Sequence, residues 1–288
     1  MSADESVRVS VILAVRNGEP FLRKQLEALE RQSCSFPWEV IVTDNGSTDA
    51  SARTAREFET RLPNFQLLYE PTPGKCRALN LGMAAARGSQ YVFVDSDDEA
   101  AGEYVQKMSE ALDEFDVVGG FIETTTLNPP CARVEMVTND EVPIYHNFRP
   151  GLPGCVTGMR AAMCEQVGLY DETLMVGEDV DYTWRAFALG ASFGRQPAAV
   201  MHVRRPANSR AAFRKSRSYA HAAVWMYERY RSKGLQRRSL RKVLGPLRWT
   251  LVDAWRNGGP TQSWRLSWQI GTILGRAGES IRRRVYFP

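Results

Sequence analysis

Apolar and polar positions change period several times along the chain. VRVSVILAV (7–15) is a β-branched run that reads as a strand, and PFLRKQLEALERQ (20–32) repeats Phe21, Leu22, Leu26 and Leu29 at helical spacing. WEVIVTD (38–44) predicts a second strand. SARTAREFETRL (51–62) predicts a second helix, begun by the cap-like Ser47, Thr48 and Asp49. FQLLYE (65–70), the Ala-rich KCRALNLGMAAARG (75–88) and YVFV (91–94) continue as strand, helix and strand. Strands separated by helices of this length imply a parallel sheet with right-handed crossovers, and such sheets bind ligands beyond the carboxyl ends of their strands.

Past residue 100 the pattern is less regular. Residues 104–118 read as a helix running into the strand DVVGGFIET, whereas 124–153 hold five prolines and little periodicity, as a functional loop or lid does. TGMRAAMCEQVG (157–168) predicts a helix, GEDVDYTWRAFALG an acidic cluster leading into another, and SFGRQPAAVMHVRRP (192–206) a strand ending in His202. In the tail, PLRWTLVDAWR (246–256) opens a helix with Pro246 at its first position. QSWRLSWQIGTILGRAGESIRRRVYFP then sets Leu266, Ile270, Ile273, Ala277, Ile281 and Val285 on one side, and Arg265, Gln269, Thr272, Arg276, Glu279 and Arg283 on the other. That is an amphipathic helix with a basic face.

With 288 residues, 43% hydrophobic and 24% charged, the chain is a globular one rather than a disordered one. No apolar run approaches the roughly 20 residues that span a bilayer. MSADESVRVS lacks the basic-then-apolar order of a signal peptide, so a cytoplasmic place is expected. Five cysteines, an odd number without CxxC spacing, argue against a disulfide framework and a zinc site and for reduced, mostly buried thiols. Charge divides the molecule: residues 204–288 hold 20 Lys plus Arg against 3 Asp plus Glu, a net of +17, and residues 1–203 hold 17 against 30, a net of −13. Such asymmetry marks a domain boundary and suggests that the tail meets something anionic.

The candidate chemistry lies at the strand ends: Arg16, Asn17 and Gly18 after the first, Asp44, Asn45 and Gly46 after the second, and Asp95, Asp97 and Asp98 after the fourth. Neither a GxGxxG fingerprint nor a GxxxxGK[ST] phosphate loop follows the first strand. An acidic turn can be only a turn. Crowded carboxylates can also share a proton, or hold a divalent cation that in turn holds phosphates. An Asp rim repels a diphosphate unless a metal stands between, and Asp95 and Asp97, two residues apart, suit Mg²⁺. Glu178, Asp179 and Asp181 complement a helix dipole, or supply a base for an incoming hydroxyl. A lone His202 after an apolar strand is a rim residue or a metal ligand.

Five segments fall in the order of one family. SVILAVRNGEPFL, EVIVTDNGSTD, GKCRALNLGMAAARGSQYVFVDSDD, VGLYDETLMVGEDVDYTWR and AAVMHVRRP, between residues 8 and 206, together resemble the family 2 glycosyltransferases. The resemblance implies an α/β GT-A (Rossmann-like) fold: a mixed, mainly parallel sheet flanked by helices, here with a basic helical extension. It implies a catalytic domain over 1–205, with a nucleotide-binding half (1–100) and an acceptor half (101–205), and a separate 206–288. It further implies that Asp44 contacts the donor base in a pocket lined by Ala14, Val15 and Arg16, with Lys75, Asp95 and Ser96 along the donor. Asp95 and Asp97, with Asp97 the direct ligand, and His202 would hold Mg²⁺ or Mn²⁺, and Asp179 would be the general base. The implied reaction is inverting transfer of a sugar from a nucleotide diphosphate sugar, in the first place a UDP-sugar, to an acceptor hydroxyl. Asn45 stands where that motif has a second Asp, and no QxxRW follows the acidic pair, unlike processive synthases.

Two other classes compete. A haloacid-dehalogenase-like phosphatase needs DxDx[TV], which Asp98 and Glu99 break, and a degenerate transferase acting as a scaffold would have no need of the carboxylates. The acceptor is open between a lipid-linked saccharide, a saccharide and a small molecule. For the tail, one reading packs its helices on the catalytic domain or in a homodimer. Another places them on the inner face of the cell membrane as a peripheral anchor, through Trp249, Trp255, Trp264 and Trp268. Nucleic acid is disfavoured because no binding motif accompanies the charge.

Overall fold

The computed structural model describes residues 6–133, 141–237 and 239–287. The expectations for the extreme N-terminus, and for 134–140 of the proline-rich segment, fall outside them. The strands are β1 (Val9–Val15), β2 (Trp38–Asp44), β3 (Gln66–Tyr69), β4 (Gln90–Asp95), β5 (Glu99–Ala100), β6 (Val117–Glu123), β7 (Ile144–Tyr145), β8 (Arg149–Pro150), β9 (Thr157–Arg160) and β10 (Phe193–His202). The helices are α1 (Phe21–Glu30), α2 (Ser51–Arg56), α3 (Lys75–Ala85), α4 (Tyr104–Leu112), α5 (Ala161–Val167), α6 (Glu178–Ala188), α7 (Ser209–Tyr230), α8 (Leu240–Asn257) and α9 (Gly259–Arg283). The chain divides into two compact units: residues 6–123, 141–143 and 149–203 form the first, and 124–133, 144–148 and 204–287 the second.

The first unit is built on an eight-stranded sheet of order β3-β2-β1-β4-β9-β6-β10-β5. β1 lies parallel to β2 and β4, and β2 parallel to β3, as the β-branched runs predict. β1 and β2 are buried almost throughout, because α1, α3 and α4 cover the sheet. The reading of 157–168 as one helix is corrected. Residues 157–160 form β9, antiparallel to both β4 and β6, and only 161–167 are helical. Pairing on both sides decides this against local propensity, and Gly158 admits α4 closely: a Cβ there would lie 2.9 Å from Met108 Cε. α2 also ends at Arg56, earlier than the pattern to residue 62 suggests.

In the second unit α7, which the sequence reading did not identify, is capped by Asn208, whose side chain accepts from the Ala211 amide at 3.0 Å. Pro246 sits inside α8 and not at its start. α9 is turned opposite to the expectation for a packed amphipathic helix. It buries Trp264, Gly271, Gly275, Arg276 and Glu279, while Ile270, Leu274 and Ile281 are 38%, 53% and 79% exposed. The cause is the close approach of α7: a Cβ on Gly275 would lie 2.7 Å from both Ala220 Cβ and the Arg217 carbonyl. Only the small-residue stripe of α9 fits there. Glu279 is accommodated by Arg282 and Arg283, and Arg283 also reaches Glu228 at 2.7 Å.

Candidate active site

The carboxyl ends of β1, β2 and β4 lie side by side, with Val15 paired to Asp44 and Ala14 to Asp95. Val15 and Asp44 are buried, Ala14 half-buried and Arg16 exposed. Asp44 accepts the Ser47 amide at 3.2 Å, which folds the turn after β2 back on itself. This turn is bound to the one after β1: Asn17 Oδ1 accepts the Thr48 amide (2.8 Å), and the Gly18 amide donates to Ser51 Oγ (2.9 Å). Asn45 joins a third segment. Its amide nitrogen donates to the Glu70 and Thr72 carbonyls (3.1 and 2.8 Å), and its oxygen accepts the Gly74 amide (2.7 Å), just before Lys75 opens α3. A carboxylate could accept from Gly74 but could not donate to the two carbonyls.

Lys75 is the centre of the site. Its ammonium lies 2.8 Å from Asp95 Oδ1 and 3.1 Å from Glu178 Oε1, joining the end of β4 to the start of α6. Burial alone would lower its pKa; the charges of Asp95, Glu178 and Asp179 outweigh burial and raise it well above its ordinary value. Gly177, at φ +82, makes the left-handed turn that starts α6 at Glu178. Beside it Asp179 accepts the Gly154 amide on Oδ2 and the Val180 amide on Oδ1, both at 2.8 Å. Burial and the Glu178 charge push the Asp179 carboxyl up to about 6, against the pull of Lys75 and the two amides. Phe93 and Tyr170 line the same cleft with Lys75, Asp95, Gly154 and Asp179, and Tyr170 stacks on Tyr182 with ring centroids 4.0 Å apart.

The turn after β4 is fixed by a residue the sequence reading passed over. Gln25 is fully buried on the apolar face of α1, donates to the Asp95 carbonyl at 3.1 Å and accepts the Ala100 amide at 3.0 Å. It clamps both ends of the segment carrying Ser96, Asp97 and Asp98. Asp95, Ser96 and Asp97 are half-buried, whereas Asp98 is 2% exposed. Among the described residues, Asp95, Asp98 and Cys155 have potential ligand atoms within 4.8 Å of one another. Burial and the two aspartates raise the Cys155 thiol well above its usual range, so the donors that fit a cation here are carboxylate oxygens, the set for Mg²⁺ or Mn²⁺. His202 ends β10 opposite Glu99, and its Nδ1 lies 2.7 Å from Glu123 Oε2. It is therefore placed near the end of the acidic turn and orientated by a carboxylate, but it is not part of the Asp95, Asp98 and Cys155 group. No sequence signal marked Glu123 or Gln25; each looks like an ordinary strand or helix residue.

Comparison with known proteins follows the same outline. The model of the family described as "Glycosyl transferase family 2" matches residues 10–165. Glycosyltransferase AglE of Haloferax volcanii is 30% identical over 255 residues, which cover 85% of this chain and 80% of that protein. Other curated relatives match over shorter stretches, and of two of them the chain spans 33% and 35%. Among solved structures, mannosyltransferase PcManGT from Pyrobaculum calidifontis, in complex with GDP-Man and Mn²⁺, superposes with a TM-score of 0.63 at 16% identity over 96% of this chain and 88% of that one. Residues 1–349 of S. aureus TarS, in complex with UDP-GlcNAc, give 0.56 at 19% identity over 98% and 93%. A longer TarS chain is spanned for 54% of its length.

Proposed function

The chain belongs to glycosyl transferase family 2, and on that premise we propose that it moves a sugar from a UDP-sugar to an acceptor hydroxyl with inversion, Asp179 acting as the base. One observation carries this reading: Lys75 bridges Asp95 at the end of β4 to Glu178 at the start of α6, with Asp179 and the Gly154 amide alongside. The donor's base would lie in the pocket of Ala14, Val15, Arg16 and Asp44, and its diphosphate toward Lys75 and Ser96. TarS with UDP-GlcNAc and PcManGT with GDP-Man and Mn²⁺ support a nucleotide-sugar donor and a divalent cation. Asp95, with Asp97 and His202, would hold Mg²⁺ or Mn²⁺; the carboxylates that converge among the described residues are those of Asp95 and Asp98, which makes Asp98 a further ligand candidate. A cation held there would supply positive charge against the departing nucleoside diphosphate.

Asp179 takes the proton from the acceptor hydroxyl as it attacks the anomeric carbon. The two amides that Asp179 accepts fix its direction. Lys75 adds a fixed positive charge beside the leaving group. The tail's net charge of +17 supports a peripheral place at an anionic membrane surface, and with it a lipid-linked acceptor.

Calorimetric titration of UDP-sugars with and without Mn²⁺, followed by transfer assays, tests the catalytic reading. Asp179→Asn is expected to bind donor like the wild type and to lose transfer by about 10²-fold or more. Wild-type turnover in that variant removes Asp179 as the base. Donor and metal binding without turnover on any acceptor leaves the scaffold reading instead.

A further inference from the structure

Two helices of the C-terminal unit each carry a stripe of apolar side chains outward. On α8, Leu244, Leu251 and Trp255 are 48%, 48% and 86% exposed, and their spacing of seven and four residues puts them on one stripe. On α9, Ile270, Leu274 and Ile281 repeat that spacing and are exposed as well, while Arg276 and Glu279 are buried. A helix surrounded by water alone does the reverse. Exposed apolar stripes of this kind mark a surface made to be covered.

The charge around the stripes says by what. Arg241, Arg248 and Arg256 are exposed on α8, and Arg282 and Arg284 at the end of α9, within a segment of net charge +17. A second copy of the chain would bring the same charge against itself. A nucleic acid would satisfy the arginines and leave the leucines and isoleucines wet. An anionic lipid bilayer offers phosphates for the first and acyl chains for the second. Between the helices lies a groove of about 370 Å³ with Trp249, Trp264 and Trp268 in its walls and Arg205 and Arg265 at its rim. The Arg205 guanidinium lies over the stacked Trp264 and Trp268 rings, 5.0 and 5.5 Å from their centroids.

We propose that the outward stripes of α8 and α9 form a docking face for an anionic bilayer, lying in the interface plane with the flanking arginines at the level of the phosphates. This rests on the reading of the tail as membrane-facing and adds which side chains enter the lipid. No described helix is long and apolar enough to cross a membrane, so the face adsorbs and does not span.

Flotation of the full chain with vesicles of phosphatidylcholine alone, or with phosphatidylglycerol added, tests it. The wild type is expected to float with the anionic vesicles. Leu251→Ser with Trp255→Ser, or Leu274→Ser with Ile281→Ser, should weaken this by about tenfold or more, from the apolar area withdrawn. Leu251→Ile with Trp255→Phe should keep it. These positions are exposed, and circular dichroism checks that the helices persist. If the wild type floats and the serine variants float equally well, the docking face is wrong while the membrane reading stands. If the wild type ignores anionic vesicles, both fall. A serine variant that only turns a dimer into a monomer in sedimentation assigns the stripes to self-association and overturns the proposal, as does binding of single-stranded RNA in preference to vesicles.

Discussion

Asp179 is both the residue most exposed to a pH test and the clearest case of what a sequence can and cannot say. Its carboxyl is held at about 6 rather than near its ordinary 3.8, chiefly by burial and by Glu178. As the proposed base it would work only when ionised, so kcat/KM should fall by about tenfold per pH unit below about 6 and level off above it. For stability the sign is opposite to that of a salt-bridged aspartate. The folded chain holds this proton more tightly than the unfolded one, so ionising Asp179 costs stability as pH rises from about 4 to 6. In thermal scans the wild type should therefore lose stability relative to Asp179→Asn as pH rises from about 4 to 6, on top of a pH-independent cost to the variant, whose amide nitrogen cannot accept the second backbone N–H. The residue itself stands out in GEDVD as a candidate. Its environment does not, because Gly154 and Lys75 arrive from distant parts of the chain. Asn45 reads in the sequence as a lost carboxylate. In the structure its amide is the better group, donating where an Asp could not.

At the level of elements, α1 does more than cover the sheet. Gln25 interrupts an apolar face that would otherwise be read as core, and its two hydrogen bonds close the turn that carries Asp95 and Asp97. Replacing Gln25 by Leu leaves the Ala100 amide without this acceptor in a buried site. The expected cost is about 1–3 kcal/mol in urea unfolding. Mn²⁺-dependent donor affinity should fall as well, because the turn is no longer held at both ends. Equal donor affinity with reduced stability would make Gln25 a packing residue only. The alternation of strands and helices to residue 95 was legible because each element carries its own period. β9 was not, since its four residues are a strand only by pairing with β4 and β6. The orientation of α9 was not legible either: periodicity finds the two sides of a helix, and the Gly271 and Gly275 contacts with α7 decide which is inside.

For the whole molecule the division of charge, −13 over residues 1–203 against +17 over 204–288, was plain from the sequence. It has a measurable consequence for adsorption to anionic vesicles. The Debye length shrinks from about 10 Å at 0.1 M salt to about 3 Å at 1 M, so the electrostatic part of binding should be lost over that range while the apolar stripes retain a remainder. Complete insensitivity to salt in flotation would remove the arginines from the interaction. The two compact units divide near residue 204 and again within the proline-rich segment, which charge alone does not mark. Residues 124–133 and 144–148 leave the sheet to join the helices, where Ala132 packs with Ala212 and Trp264. A protein stopped at Val203 would keep those segments and lose what they pack on. In genetic terms, a single junction at that point cannot add or exchange the helical unit; the insertions after β6 have to travel with it.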